Sequence, residues 1–184
     1  MKQKVIFIPF LFLFLLVGFL YFYINKDYVI DANSQSIESS LTEWENRGEE
    51  EKVKIKVLDV VTLGNSNTSV VLFELDNKYT GYAQLNKGWN GKYKIKMSGY
   101  GTSKVSYVDI KTNSGVYGII YGENPNKKIA QITAALLNEN YSLTFTVSEE
   151  ETFLKYDKIP DDLTQTFPAE TTCFDANHHV IRGI

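Results

Sequence analysis

VSYVDIKTNSGVYGIIY, residues 105 to 121, carries the reading of the fold. Two β-rich runs, Val105 to Thr112 and Val116 to Tyr121, flank Asn113-Ser114-Gly115. Such an insert signals a β-hairpin, because Asn and Gly accept the left-handed backbone of a tight turn. The second run is apolar on both faces apart from Gly118, so it belongs in the middle of a sheet.

The same grammar extends in both directions. Downstream, Lys128 to Leu137 fits two periods: Ile129, Ile132 and Leu136 as a helix stripe, or Ala130, Ile132, Ala134 and Leu136 as an alternating strand. Beyond Asn138-Glu139-Asn140, Leu143, Phe145 and Val147 alternate with Thr144 and Thr146. A hairpin accounts for both segments, so strand is preferred. The alternative is an α+β fold with a helix near 127–137. Thr152 to Tyr156 is a further strand, and Thr171 to Phe174 with His179 to Arg182 makes a last hairpin.

Upstream, Tyr93, Ile95 and Met97 alternate with Lys94 and Lys96, and the Gly-rich Ser98 to Ser103 reads as a loop. Ser69 to Leu75 and Tyr79 to Leu85 flank the turn Asp76-Asn77-Lys78, and Val53, Ile55 and Val57 alternate with lysines. About nine short strands with regular turn signals predict an all-β fold over residues 52–184, an antiparallel β-sandwich, Ig-like or similar.

The N-terminal third is different. Val5 to Ile24 is an uncharged apolar run, about 30 Å long as a helix, which matches a bilayer's hydrocarbon core. It predicts a single transmembrane helix over 5–24. Lys2 and Lys4 lie before it, so a cytoplasmic tail at 1–4 and an extracytoplasmic remainder are expected. Tyr21, Phe22 and Tyr23 close the run as an interfacial aromatic belt. The alternative is a signal peptide that is cleaved to leave a secreted domain; the run is long for that, and Ile30-Asp31-Ala32 is a poor cleavage site. Residues 25–51 read as a polar linker and a short amphipathic helix, Ser34 to Arg47, with Ile37, Leu41 and Trp44 on one stripe. Asn33, Ser34 or Ser36 caps its start. This helix either packs on the domain or continues the anchor as a stalk.

From Asn86 onward, NKGWNGKYKIKMSGYGT (86–102), TNSGVYGIIYGENPNKKIAQI (112–132) and FTVSEEETFLKYDKIP (145–160) resemble small single-pass envelope proteins of Bacillus-like bacteria. The resemblance implies a β domain and brings no catalytic signature. Richness in Lys, Asn and Ile with one Cys also points to a low-GC Gram-positive source.

The formal net charge is −3, and the part beyond the run is more acidic still, since Lys2 and Lys4 belong to the tail. That argues against nucleic acid as a partner. One cysteine cannot form an internal disulfide. Cys173, Asp175, His178 and His179 include metal-ligating types, but adjacent histidines on a strand point to opposite faces. No metal site is therefore expected, with Asp175, His178 and His179 as the alternative ligand set, and no cofactor is expected. No nucleophile elbow or phosphate loop is present. Glu43, Glu74, Asp109 and Glu123 are the candidate carboxylates for an atypical hydrolase.

Trp89 stands in the turn Lys87-Gly88-Trp89-Asn90-Gly91, where strand formation has no need of a large aromatic. It reads first as a plug folded over a sheet end. The second reading is a surface contact with Tyr82, Tyr93 and Tyr100 that stacks on a sugar or anchors a protein. The function expected is a membrane-tethered extracytoplasmic binding domain of the cell envelope, not an enzyme, with the membrane and an envelope protein or cell-wall ligand as partners. An envelope hydrolase and a self-associating structural protein are the alternatives.

Overall fold

The computed structural model describes residues 4–182, with side chains from Phe10 onward. The tail expected at 1–4 lies outside the described residues, save for the backbone of Lys4. Helices α1 (Lys4–Asn25) and α2 (Ser34–Glu45) precede eleven strands: β1 (Ile55–Thr62), β2 (Thr68–Leu75), β3 (Tyr79–Lys87), β4 (Tyr93–Gly101), β5 (Val105–Thr112), β6 (Gly115–Glu123), β7 (Gln131–Leu136), β8 (Ser142–Thr146), β9 (Thr152–Lys158), β10 (Ala169–Phe174) and β11 (Val180–Ile181). They form three antiparallel sheets, ordered β1-β2-β3-β4, β5-β6-β9 and β11-β10-β7-β8.

Period-2 alternation sorts the apolar residues into three cores. In β2, Val71, Phe73 and Leu75 face α2, where Ile37 and Leu41 are buried among them. Val70 and Leu72 take the opposite face and meet Tyr117, Ile119 and Tyr121 of β6. From β6, Ile120 then enters a third core with Ile132, Leu143 and Phe153. The layers therefore run α2, first sheet, second sheet, third sheet. β6 is the middle strand of its own sheet and is covered on both faces, as its apolar run requires. Gly118 interrupts that run because a Cβ there would collide with the Leu143 side chain and approach the Tyr107 hydroxyl.

One reading is decided and two expectations are corrected. The preferred strand forms in place of the alternative helix near 127–137: a short 3-10 turn at Pro125–Lys127 leads into β7, whose Ile132, Ala134 and Leu136 are buried. Pairing with β8, Ile132 opposite Phe145 and Ala134 opposite Leu143, decides for the strand. Ser98 to Ser103 is mostly strand, since β4 continues to Gly101. Its glycine serves packing: Gly99 lies opposite Tyr82, and a Cβ there would press on the Tyr82 ring at 3.3 Å. Finally, the segment after α1 is not a free linker. Ile30 is buried and bridges to Tyr93 at the edge of β4, with N–H···O distances of 3.0 and 2.8 Å in the two directions.

Asn33 caps α2, its Oδ1 accepting the Ser36 N–H at 2.9 Å. At the other end Asn46 clasps Val53, donating to its carbonyl and accepting its N–H. Among the described residues no helix is long and apolar enough to cross a membrane; the part of α1 with described side chains begins at Phe10.

Candidate functional site

The Trp89 turn is held tightly at its base. The Gly88 N–H donates to the Lys92 carbonyl at 2.8 Å and the Gly91 N–H to the Gly88 carbonyl at 3.1 Å. Asn90 fixes the turn to the end of α1. Its backbone N–H donates to Asn25 Oδ1 at 3.3 Å, and its side-chain amide donates to the Tyr28 carbonyl at 3.0 Å. Asn25 is itself buried and bonds back to the Tyr21 carbonyl at 2.9 Å. Trp89 projects from this rigid turn with 81% of its surface exposed. The plug reading is overturned: the indole stands in solvent, while Asn90 and Asn25 bond across the sheet end beneath it.

The four aromatics named from sequence do not share one surface. Tyr82 is buried in the second core, its ring 5.2 Å from that of Tyr121, and burial pushes its phenol pKa up. Tyr93 packs partly buried against the first core. Tyr100 is exposed, but it sits opposite Gly81 beside Tyr79, at the far end of β4 from the Trp89 turn. A seven-residue step along a strand is about 23 Å, too far for one ligand ring to touch both. Only Trp89 and Tyr100 are open, and they are separate.

A larger feature had no signal in the aromatic turns. A groove of about 720 Å³ runs between α2 and β4, beside the end of α1. Ser40, Glu43, Trp44 and Arg47 line one wall, and Lys94, Ile95 and Lys96 the other. Arg47 lies over the Trp44 ring at 4.1 Å, the geometry of a cation–π contact. Lys26 and Asp27 close the end next to α1. Four cations against two carboxylates favour an anionic or mixed polar ligand with an apolar part. Alternation of Lys94 and Lys96 with Tyr93 and Ile95 is visible in sequence; that α2 would wall off their neighbourhood is not.

The C-terminal turn is an ordinary one. Asp175 Oδ1 accepts the N–H groups of Asn177 at 2.8 Å and His179 at 2.9 Å. The His179 bond foremost holds its carboxyl below the usual aspartate range. Cys173 points inward, next to Ile132 and Ile181, so it is turned away from the turn, and burial raises its thiol pKa. Among the described residues no three His, Cys, Asp or Glu side chains converge as a metal would need.

The four candidate carboxylates are split. Glu43 lies in the α2–β4 groove and Asp109 in a separate cleft with Asp161. Glu74 and Glu123 do share a cleft of about 490 Å³, joined through Thr80, which stands opposite Glu74 and donates its hydroxyl to Glu123. Lys56 and Lys78 line the same cleft.

No protein-family model, curated protein or solved structure matches the chain.

Proposed function

We propose that the chain is a membrane-tethered extracytoplasmic binding domain of a cell envelope, in which a β-sandwich-like stack holds the α2–β4 groove close above the lipid. One observation carries the reading. Every residue from Phe10 to Ile24 is exposed, Phe14 at 82%, on a helix with no polar face. A helix apolar all round needs apolar surroundings, and its own domain leaves it exposed from Phe10 to Ile24. A bilayer supplies them, and the continuous backbone helix from Lys4 has the length of a single span. The resemblance of residues 86–160 suggests a Gram-positive, Bacillus-like envelope as the setting, with an envelope protein or a wall polymer as the groove's ligand.

The test is photo-crosslinking from the groove in native membranes. A photoreactive residue at Ser40 should yield one discrete adduct that the same residue at exposed Asn138 does not. Identical patterns from the two positions, or extraction of the full chain by alkaline carbonate, would count against the proposal.

A second reading rests on the cleft that Glu74 and Glu123 both line, since glycoside hydrolysis uses two carboxyl groups. Turnover of a wall glycan that disappears in Glu123→Gln while the melting temperature holds would establish it.

A further inference from the structure

We infer that the β3–β4 turn is a second membrane contact: Trp89 and the lysines around it seat the domain on an anionic phospholipid surface on the side where α1 emerges. The inference rests on the tether reading of α1 and adds the orientation of the domain.

Position comes first. Asn90 bonds to Asn25, the last residue of α1, so the turn sits level with the helix end. Tyr21 and Phe22, one turn back along α1, border the same cleft as Asn90 and Lys92. If α1 spans, this level is the zone between acyl chains and headgroups, where indole rings collect because one edge is apolar and the N–H needs a partner. Trp89 is presented there by a turn fixed through five hydrogen bonds, so little ordering remains to be done on contact.

Charge agrees with position. Lys26 and Lys92 border the cleft at the helix end and Lys94 lies over Tyr28 beside it, against Asp27 and Asp31; Lys92 pairs with Asp31 at 3.0 Å, so the positive excess there is local and small. Lys26 covers Tyr23 at 4.6 Å and Lys94 covers Tyr28 at 4.7 Å, aromatic stems beneath cationic heads. The chain as a whole is negative, so this basic collar is local, and anionic headgroups complement it. Val29, exposed at 65%, adds apolar surface at the same level.

The experiment uses the full chain in phosphatidylcholine–phosphatidylglycerol vesicles. The chain has two tryptophans, so Trp44→Phe leaves Trp89 as the reporter, and subtracting a Trp89→Phe spectrum from wild type reads the same signal should that variant fold poorly. Lipids brominated high on the acyl chain should quench Trp89, and aqueous iodide should quench it several-fold less than free tryptophan. Iodide quenching as efficient as that of free tryptophan, with no effect of bromine, overturns the inference. Flotation separates the two claims. A chain that fails to float with vesicles defeats the tether reading itself. A chain that floats with Trp89 open to iodide defeats only the second contact. Removing phosphatidylglycerol should weaken the protection from iodide; unchanged protection overturns the part assigned to the lysines.

Discussion

Asn25 Oδ1 accepts the backbone N–H of Asn90 at 3.3 Å, joining the end of α1 to a turn 65 residues further on. Both residues belong to segments that read as loose from sequence, a linker start and a hairpin tip. Together they convert the junction into a fixed corner. Asn25→Ala should lower stability by about 1 kcal/mol and speed amide hydrogen exchange at Asn90. Exchange at Asn90 equal to wild type would show that the corner holds without this bond.

Leu41 is fully buried where α2 meets the first sheet. Leu41→Ala should cost about 2–5 kcal/mol, and a chain of this size loses roughly 2–4 °C of melting temperature per kcal/mol. Ser39→Ala, on the exposed side of the same helix, should leave the melt unchanged. Equal melts for the two variants would mean that α2 is not part of the core.

Gly118 and Leu143 form a coupled pair across the second and third sheets. Gly118→Ala should destabilise by about 1–3 kcal/mol through overpacking. In a Leu143→Ala background the added methyl enters the vacated space, so its cost should fall or change sign. Strict additivity in the double-mutant cycle would refute the contact.

Tyr82, Tyr107 and Tyr121 each have a phenol pKa raised, in every case foremost by burial. Asp109 adds to the shift at Tyr82 and Tyr107. In the unfolded chain these phenols ionise near 10, while in the native fold they stay neutral to higher pH. Their contribution to stability is therefore complete below about pH 10 and is lost as pH rises through the native values. Denaturant titrations from pH 8 to 11 should show this fall, and Tyr82→Phe should make it shallower. A flat profile in wild type would contradict the assignment.

The strand pattern was legible because alternation and turn chemistry are local. The hairpins around Asn113-Ser114-Gly115 and Asn138-Glu139-Asn140 both form where their residues require. What local reading missed is stacking. Nothing in the period of β2 or β6 tells which sheet lies on which face, although Gly118, a lone gap in an apolar strand, was a sign that another layer presses close. The same limit applied at Trp89. Its exposure depends on Asn90 reaching Asn25, a pairing no spacing rule foresees. The apolar Val29-Ile30 pair inside a polar stretch was the one hint that this segment would join an edge strand.

The bridge between Ile30 and Tyr93 and the Asn25–Asn90 bond both tie the end of α1 to the domain. Where helix and domain are joined at two points, helix length becomes a setting of phase. Inserting one residue in the middle of α1 would rotate everything before it by about 100° relative to the α2–β4 groove. A partner gripping the first half of α1 would then find the groove facing another way, although every contact within the domain was unchanged.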